Sequence, residues 1–171
     1  MEKFYAPFAA CVTGAIAAGL LAIAPTAAHA ATATDTMAVS ATVQSACIVS
    51  ASALAFGSYN PTSGTNLDAT TTLSVTCTSG TSYTVGLSAG NGSGATVTNR
   101  KLTNGANTLS YTLYQDASRA TNWGNTPGTD TPASAVAGAS ATSLTVYGRV
   151  ASGQNVPAGT YTDSVTVTVN Y

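Results

Sequence analysis

Acid–base and nucleophilic chemistry need particular side chains held close together, and this sequence keeps them apart. Its only histidine is His29 and its only glutamate is Glu2, both within the first thirty residues. Beyond them serine and threonine are abundant, but no imidazole is present to take a hydroxyl proton. Five aspartates follow, Asp35, Asp68, Asp116, Asp130 and Asp163, too scattered to form a recognisable carboxylate pair. Asp116, Asn122, Asn125 and Asp130 lack the ligand spacing of a calcium loop, so they read as solvated loop residues. The stretch GNGSG (90–94) has no lysine and no helical pattern after it, which makes it a glycine-rich hairpin and not a phosphate cradle. Trp123, in NWGN, could stack on a sugar; its plainer role is to cover one end of the fold. The chain is therefore expected not to be an enzyme, and to use no cofactor and no metal.

The remaining reactive groups are thiols. Lys3, the apolar run AACVTGAIAAGLLAIA and the small-residue ending AHA read as a secretory signal over residues 1–30, cleaved after Ala30. Cys11 falls within it. Export leaves Cys47 and Cys77 as the only cysteines, in an oxidising compartment, and they are expected to form a disulfide.

Residues 31–171 are long enough for one domain with a core. Arg100, Lys101, Arg119 and Arg149 stand against the five aspartates, so there is no basic field for nucleic acid. With so few charges, association must rely on apolar burial and backbone pairing. Arg119 and Arg149 are placed to pair with Asp116 or Asp163.

No stretch has sustained helical periodicity, whereas short alternating segments recur between glycine, asparagine and proline, which predicts an all-β sandwich or barrel. Strands are expected at LAFGSY (54–59), LDATTTLSVTC (67–77), SYTVGLS (82–88), TLSYTLYQD (108–116), SLTVYGRV (143–150) and YTDSVTVTVNY (161–171). Asn91-Gly92 and Asn104-Gly105 favour tight turns. Residues 117–142 read as an irregular loop.

Two segments stand out. From Ala33 to Val49 one face stays mostly apolar for seventeen residues with no glycine or proline. Extended, that run would span roughly 55 Å at about 3.3 Å per residue, against about 17 to 20 Å for ordinary strands. Part of it must project. At the other end Val165, Val167, Val169 and Tyr171 alternate with polar residues, and no later strand covers their edge. An exposed apolar edge is an aggregation hazard, and the arm of another copy is its natural cover. Such a contact joins unlike surfaces and builds an open filament.

The order of VSATVQSACIVS, LAFGSYNP, LSVTCTSG, LSYTLYQDASRATNWG and PAGTYTDSVTVTVNY resembles the spore coat protein U domain, and in particular the major subunits of Csu-type archaic chaperone/usher pili. The markers are the two cysteines, the F-G-x-Y segment at Phe56, Gly57 and Tyr59, the stretch around Asp116, and the ending from Gly159 to Asn170. The resemblance implies an incomplete immunoglobulin-like sandwich lacking its last strand and completed by donor strand exchange. It implies a periplasmic chaperone that fills the groove first, and an outer-membrane usher where the next subunit's arm replaces it. On this sequence Ala33, Asp35, Met37, Val39 and Ala41 would be the donor strand, and Val165, Val167, Val169 and Tyr171 would line the acceptor groove. Asp35 departs from an apolar donor pattern. The organisation expected is a signal peptide (1–30), a donor arm (31–41) and a pilin domain (42–171), with the arm ending between Val39 and Ser45. The function expected is a structural subunit of a surface pilus, with adhesion and biofilm formation as the outcome. A secreted spore-coat or matrix protein is the alternative, followed by a carbohydrate-binding adhesin.

Overall fold

The computed structural model describes residues 30–171, so the expected signal peptide lies, apart from Ala30, outside the described residues. The chain divides at Ser40/Ala41 into two units. In the first, residues 30–40 carry no strand and every one is exposed.

The second unit contains eight strands: β1 (Cys47–Ala51), β2 (Leu67–Cys77), β3 (Ser82–Leu87), β4 (Arg100–Asn104), β5 (Asn107–Tyr114), β6 (Ala135–Val136), β7 (Thr142–Val150) and β8 (Val167–Asn170). All ladders are antiparallel. They form a five-stranded sheet in the order β1-β2-β7-β5-β4 and a three-stranded sheet in the order β6-β3-β8. The all-β expectation holds.

The period-two pattern explains why these elements form. Along β2 the odd residues from Leu67 to Cys77 are shielded while the even ones are exposed, so one face can join the core with a single hydroxyl on it, that of Thr71, which donates to the Ser52 carbonyl. β5 and β7 follow the same rule with Leu109, Tyr111, Leu113, Val146 and Val150. β3 adds Tyr83, Val85 and Leu87 from the facing sheet. Asn104-Gly105 is the hairpin between β4 and β5. Asn104 pairs with Asn107, and Gly105 has φ 58° at the first central position, where a type II′ turn wants glycine.

Four expectations need correction. The segment 54–59 belongs to no ladder, because beyond Ser52, whose N–H makes the last main-chain bond to β2 at the Thr72 carbonyl, the chain leaves that edge and packs Leu54 and Phe56 over Gly148. The terminal strand is shorter than 161–171, since β3 ends at Leu87 and beyond it the Ser88 hydroxyl replaces the main chain as partner of the Thr166 N–H. The Asn91-Gly92 turn lies in the long connection between β3 and β4, which are not neighbours. Two strands, β4 and β6, were not expected. RKLTN carries two charges and no clear alternation, and β6 is only two residues long.

The arginine pairing also differs. Arg149 grips Asp68 with two bonds, Nε to Oδ1 at 2.8 Å and a second guanidinium nitrogen to Oδ2 at 2.9 Å, because Asp68 and Arg149 are register partners on β2 and β7. Arg119 reaches the same carboxylate at 3.3 Å. Asp116 instead caps its own turn, accepting from the Ser118 hydroxyl and from the N–H groups of Ala120 and Thr121.

These contacts set an acid limit. The Arg149 hydrogen bond holds Asp68 below its ordinary value, and the Ser118, Thr121 and Ala120 bonds do the same for Asp116. A depressed folded-state value gives stability that is fully present above the unfolded carboxylate pKa of about 3.9 and is lost as pH falls through the folded values. The melting temperature followed by circular dichroism should be flat from about pH 7 to 5 and fall below about pH 4. The Asp68→Asn, Asp116→Asn double variant should melt lower at pH 7 but show a shallower acid decline.

Candidate functional site

The distinctive feature is an unpaired strand edge beside an apolar groove. Thr166 exchanges bonds with Ser88, its carbonyl accepting from the Ser88 N–H at 2.9 Å and its N–H donating to Ser88 Oγ at 2.9 Å. Thr162 exchanges two main-chain bonds with Thr103 of β4, at 2.8 and 3.0 Å. The even residues therefore spend their main-chain groups on β3 and β4. Strand alternation turns the groups of Asp163, Val165, Val167 and Val169 the opposite way. No described strand pairs with them there, because β8 is the end of its sheet.

Along this edge lies a groove with room for about 410 Å³, lined by Leu54, Leu73, Leu87, Leu113, Val146, Val165 and Val167 among others. A second space of about 570 Å³ shares Leu54, Phe56 and Leu102 with it and continues between Tyr59 on one side and Val156 and Tyr161 on the other. Phe56 reaches the floor because Gly148 is bare: a Cβ there would meet the Phe56 ring at 2.8 Å. The same ring stands edge-on to Tyr111 with centroids 5.8 Å apart.

Of the four residues proposed from sequence for the groove, Val165 and Val167 line it. Val169 is half-buried against the core, and Tyr171, 63% exposed, is outside the lining. Ala33, Asp35, Met37, Val39 and Ala41 are all exposed, with Met37 at 85% and Val39 at 81%. Sequence reasoning missed the opposite wall and the floor, Leu54, Phe56, Leu73, Leu113 and Val146. The F-G-x-Y motif was the available signal, since Phe56 and Tyr59 both face the cavity.

The polar chemistry under the groove is structural. Arg100 is wholly buried, and its guanidinium donates to the carbonyls of Ser88 (2.8 Å), Val97 (2.6 Å), Leu87 (2.9 Å) and Trp123 (2.7 Å). Burial pulls its pKa down to about 10, so it stays charged at neutral pH. Trp123 is buried as well, its indole N–H donating to the Val85 carbonyl at 2.8 Å. Asp163 accepts from the Tyr111 hydroxyl at 2.7 Å and from the N–H groups of Asn91 and Ser164, each at 2.8 Å. Burial, and then Asp163, push the Tyr111 hydroxyl far above its usual value. Each of these groups is engaged in holding loops and strands. Among the described residues no group of three potential metal ligands occurs.

Cys47 and Cys77 are joined in a disulfide with Cα atoms 4.0 Å apart, as expected, and it ties the start of β1 to the end of β2.

Together the two sheets and the unpaired edge define an immunoglobulin-like sandwich short of one strand. The chain belongs to the Spore Coat Protein U domain family, which matches residues 33–168. It is 44% identical over 88 residues to Protein U of Myxococcus xanthus, an alignment covering 50% of this chain and 48% of that protein, so the chain spans about half the length of this curated relative. A chain in the crystal structure of the CsuC-CsuE chaperone-tip adhesion subunit pre-assembly complex, from archaic chaperone-usher Csu pili of Acinetobacter baumannii, superposes with a TM-score of 0.57. That match has 23% identity and covers 76% of this chain and 41% of the other, a likeness of fold. The family resemblance read from the motifs is borne out.

Proposed function

We propose that the chain is an exported structural subunit of a chaperone/usher-assembled surface pilus, polymerising by donor strand exchange. The observation that carries this reading is the unpaired edge from Asp163 to Val169 beside a groove lined by leucine, valine and phenylalanine. The occupant is the arm of a second copy, with Ala33, Asp35, Met37, Val39 and Ala41 facing in. Its support is chemical fit. The exposed Met37 and Val39 offer an apolar face at strand period, and Asp35 is the only charge between residues 30 and 46. Before assembly a periplasmic chaperone would cover the groove, and an outer-membrane usher would be the place of exchange. Adhesion and biofilm formation are the biological outcome.

The test is deletion of Ala31 to Val39. The shortened protein should remain folded and disulfide-bonded, since residues 30–40 contribute nothing to the core, and should fail to form polymers by electron microscopy and size-exclusion chromatography. Filaments from the deleted protein would overturn the mechanism. Membership of the Spore Coat Protein U domain family supports a second reading, a secreted spore-coat or matrix protein. A chaperone and an usher encoded beside the gene favour the pilus; their absence favours the matrix reading.

A further inference from the structure

The lining of the groove carries a single charged residue, Asp163, which shares it with Leu54, Val165 and Val167. Its carboxylate is fixed in place. Oδ2 accepts from the Tyr111 hydroxyl at 2.7 Å, and Oδ1 accepts from the Asn91 and Ser164 N–H groups, each at 2.8 Å. Gly90 lies so close that a Cβ on it would collide with both oxygens, which leaves the group no room to swing that way. No cation bonds to it: among the described residues both ion pairs go to Asp68, and the Arg100 guanidinium donates to carbonyls. A strand laid along this edge therefore covers a fixed acid at one end and hydrocarbon along the rest.

The arm that would fill the groove also carries one charge, Asp35. Two carboxylates brought together as water leaves repel each other more strongly than in bulk solvent. We propose that Asp163 sets the register of the arm by excluding an acidic side chain opposite it, so that Ala41 stands at Asp163, Val39 at Val165, Met37 at Val167 and Asp35 at Val169. The inference rests on the donor-strand reading of the groove. The seven residues from Asp35 to Ala41 match the seven from Asp163 to Val169. In this register the two carboxylates stand about 20 Å apart at about 3.3 Å per residue, beyond a Debye length of about 8 Å. Val169 is outside the groove's lining, so Asp35 beside it keeps its water. Laid the other way round over the same residues, the arm would set Asp35 on Asp163. Slid by two residues to bring Val43 to Asp163, it would offer Val165 only the methyl of Ala41 and carry Met37 past Val167.

Synthetic peptides of residues 31–45, titrated by calorimetry into the disulfide-bonded chain beginning at Ala31, test the register. Ala41→Asp in the peptide should bind at least about tenfold more weakly than Ala41→Asn, which has the same size and no charge. Asp163→Asn in the protein, which keeps an acceptor for Tyr111, should shrink that difference to about threefold or less. Asp35→Ala in the peptide should change affinity by no more than about threefold, because that charge stands far from Asp163. A smaller penalty for Ala41→Asp, a penalty that survives Asp163→Asn, or a larger change from Asp35→Ala would each overturn the register and leave the donor-strand reading standing. Failure of the unsubstituted peptide to bind would overturn that reading, and the register with it.

Discussion

Replacing Arg100 with alanine should destabilise the domain by about 3 to 5 kcal/mol, the range seen when one partner of a buried charged network is removed. Four carbonyls converge on this guanidinium, and no carboxylate does. Alanine would leave those oxygens without their donor in a dry interior, each at a cost of about 1 to 3 kcal/mol before relaxation. It would also leave a side-chain-sized void. The carbonyls belong to the end of β3 (Leu87, Ser88), the loop before β4 (Val97) and the loop after β5 (Trp123), so one residue holds three chain segments together. Urea unfolding at pH 7, followed by the fluorescence of Trp123, the chain's only tryptophan, gives the difference directly. Arg100→Lys should fall between wild type and Arg100→Ala, because an ammonium keeps the charge but cannot span four acceptors in a plane. An alanine variant within about 1 kcal/mol of wild type would show that water replaces the guanidinium and that the network is dispensable.

Removing the disulfide is the second large effect. In the Cys47→Ala, Cys77→Ala variant a cross-link spanning a sequence separation of 30 is lost, and the chain-entropy estimate for such a loop is about 3 to 4 kcal/mol. For a domain of this size the melting temperature should drop by about 10 °C. The consequence is not confined to stability. β1 is the edge strand of its sheet and has only β2 as a ladder partner, so losing the bond at Cys47 frees the start of that edge strand. Hydrogen exchange should therefore accelerate at β1 more than at β2, which stays paired with β7 along its length. Equal acceleration at both strands would mean that the bond acts only through global stability.

The parts of this protein legible in the sequence are those set by local alternation and covalent chemistry. β2 is found at the residues expected, Leu67 to Cys77, because an alternation broken only at Thr71 admits one register that keeps the apolar residues on the shielded face. β5 and β7 were found within a residue or two for the same reason, and the cysteine pair followed from there being no other partner after residue 30. The terminal segment was legible as a strand, but its length was not, because strand length depends on where β3 ends.

What only the tertiary structure decided is whatever depends on residues far apart in the chain. Phe56 looked like part of a strand, yet it lies in the floor of a cavity because Gly148, more than ninety positions away, leaves room for its ring. Arg100 entered the sequence reading only as one of four cations, yet it is wholly buried, because four carbonyls from three segments meet there. Asp68, not Asp116 or Asp163, receives the arginines because the β2–β7 register sets it opposite Arg149. The physical reason is common to all three. Periodicity tells which face of a segment turns away from water, a property each segment carries alone. Which neighbours that face meets, and which edge is left without one, depends on the order of strands in the two sheets, and that order is a property of the whole chain.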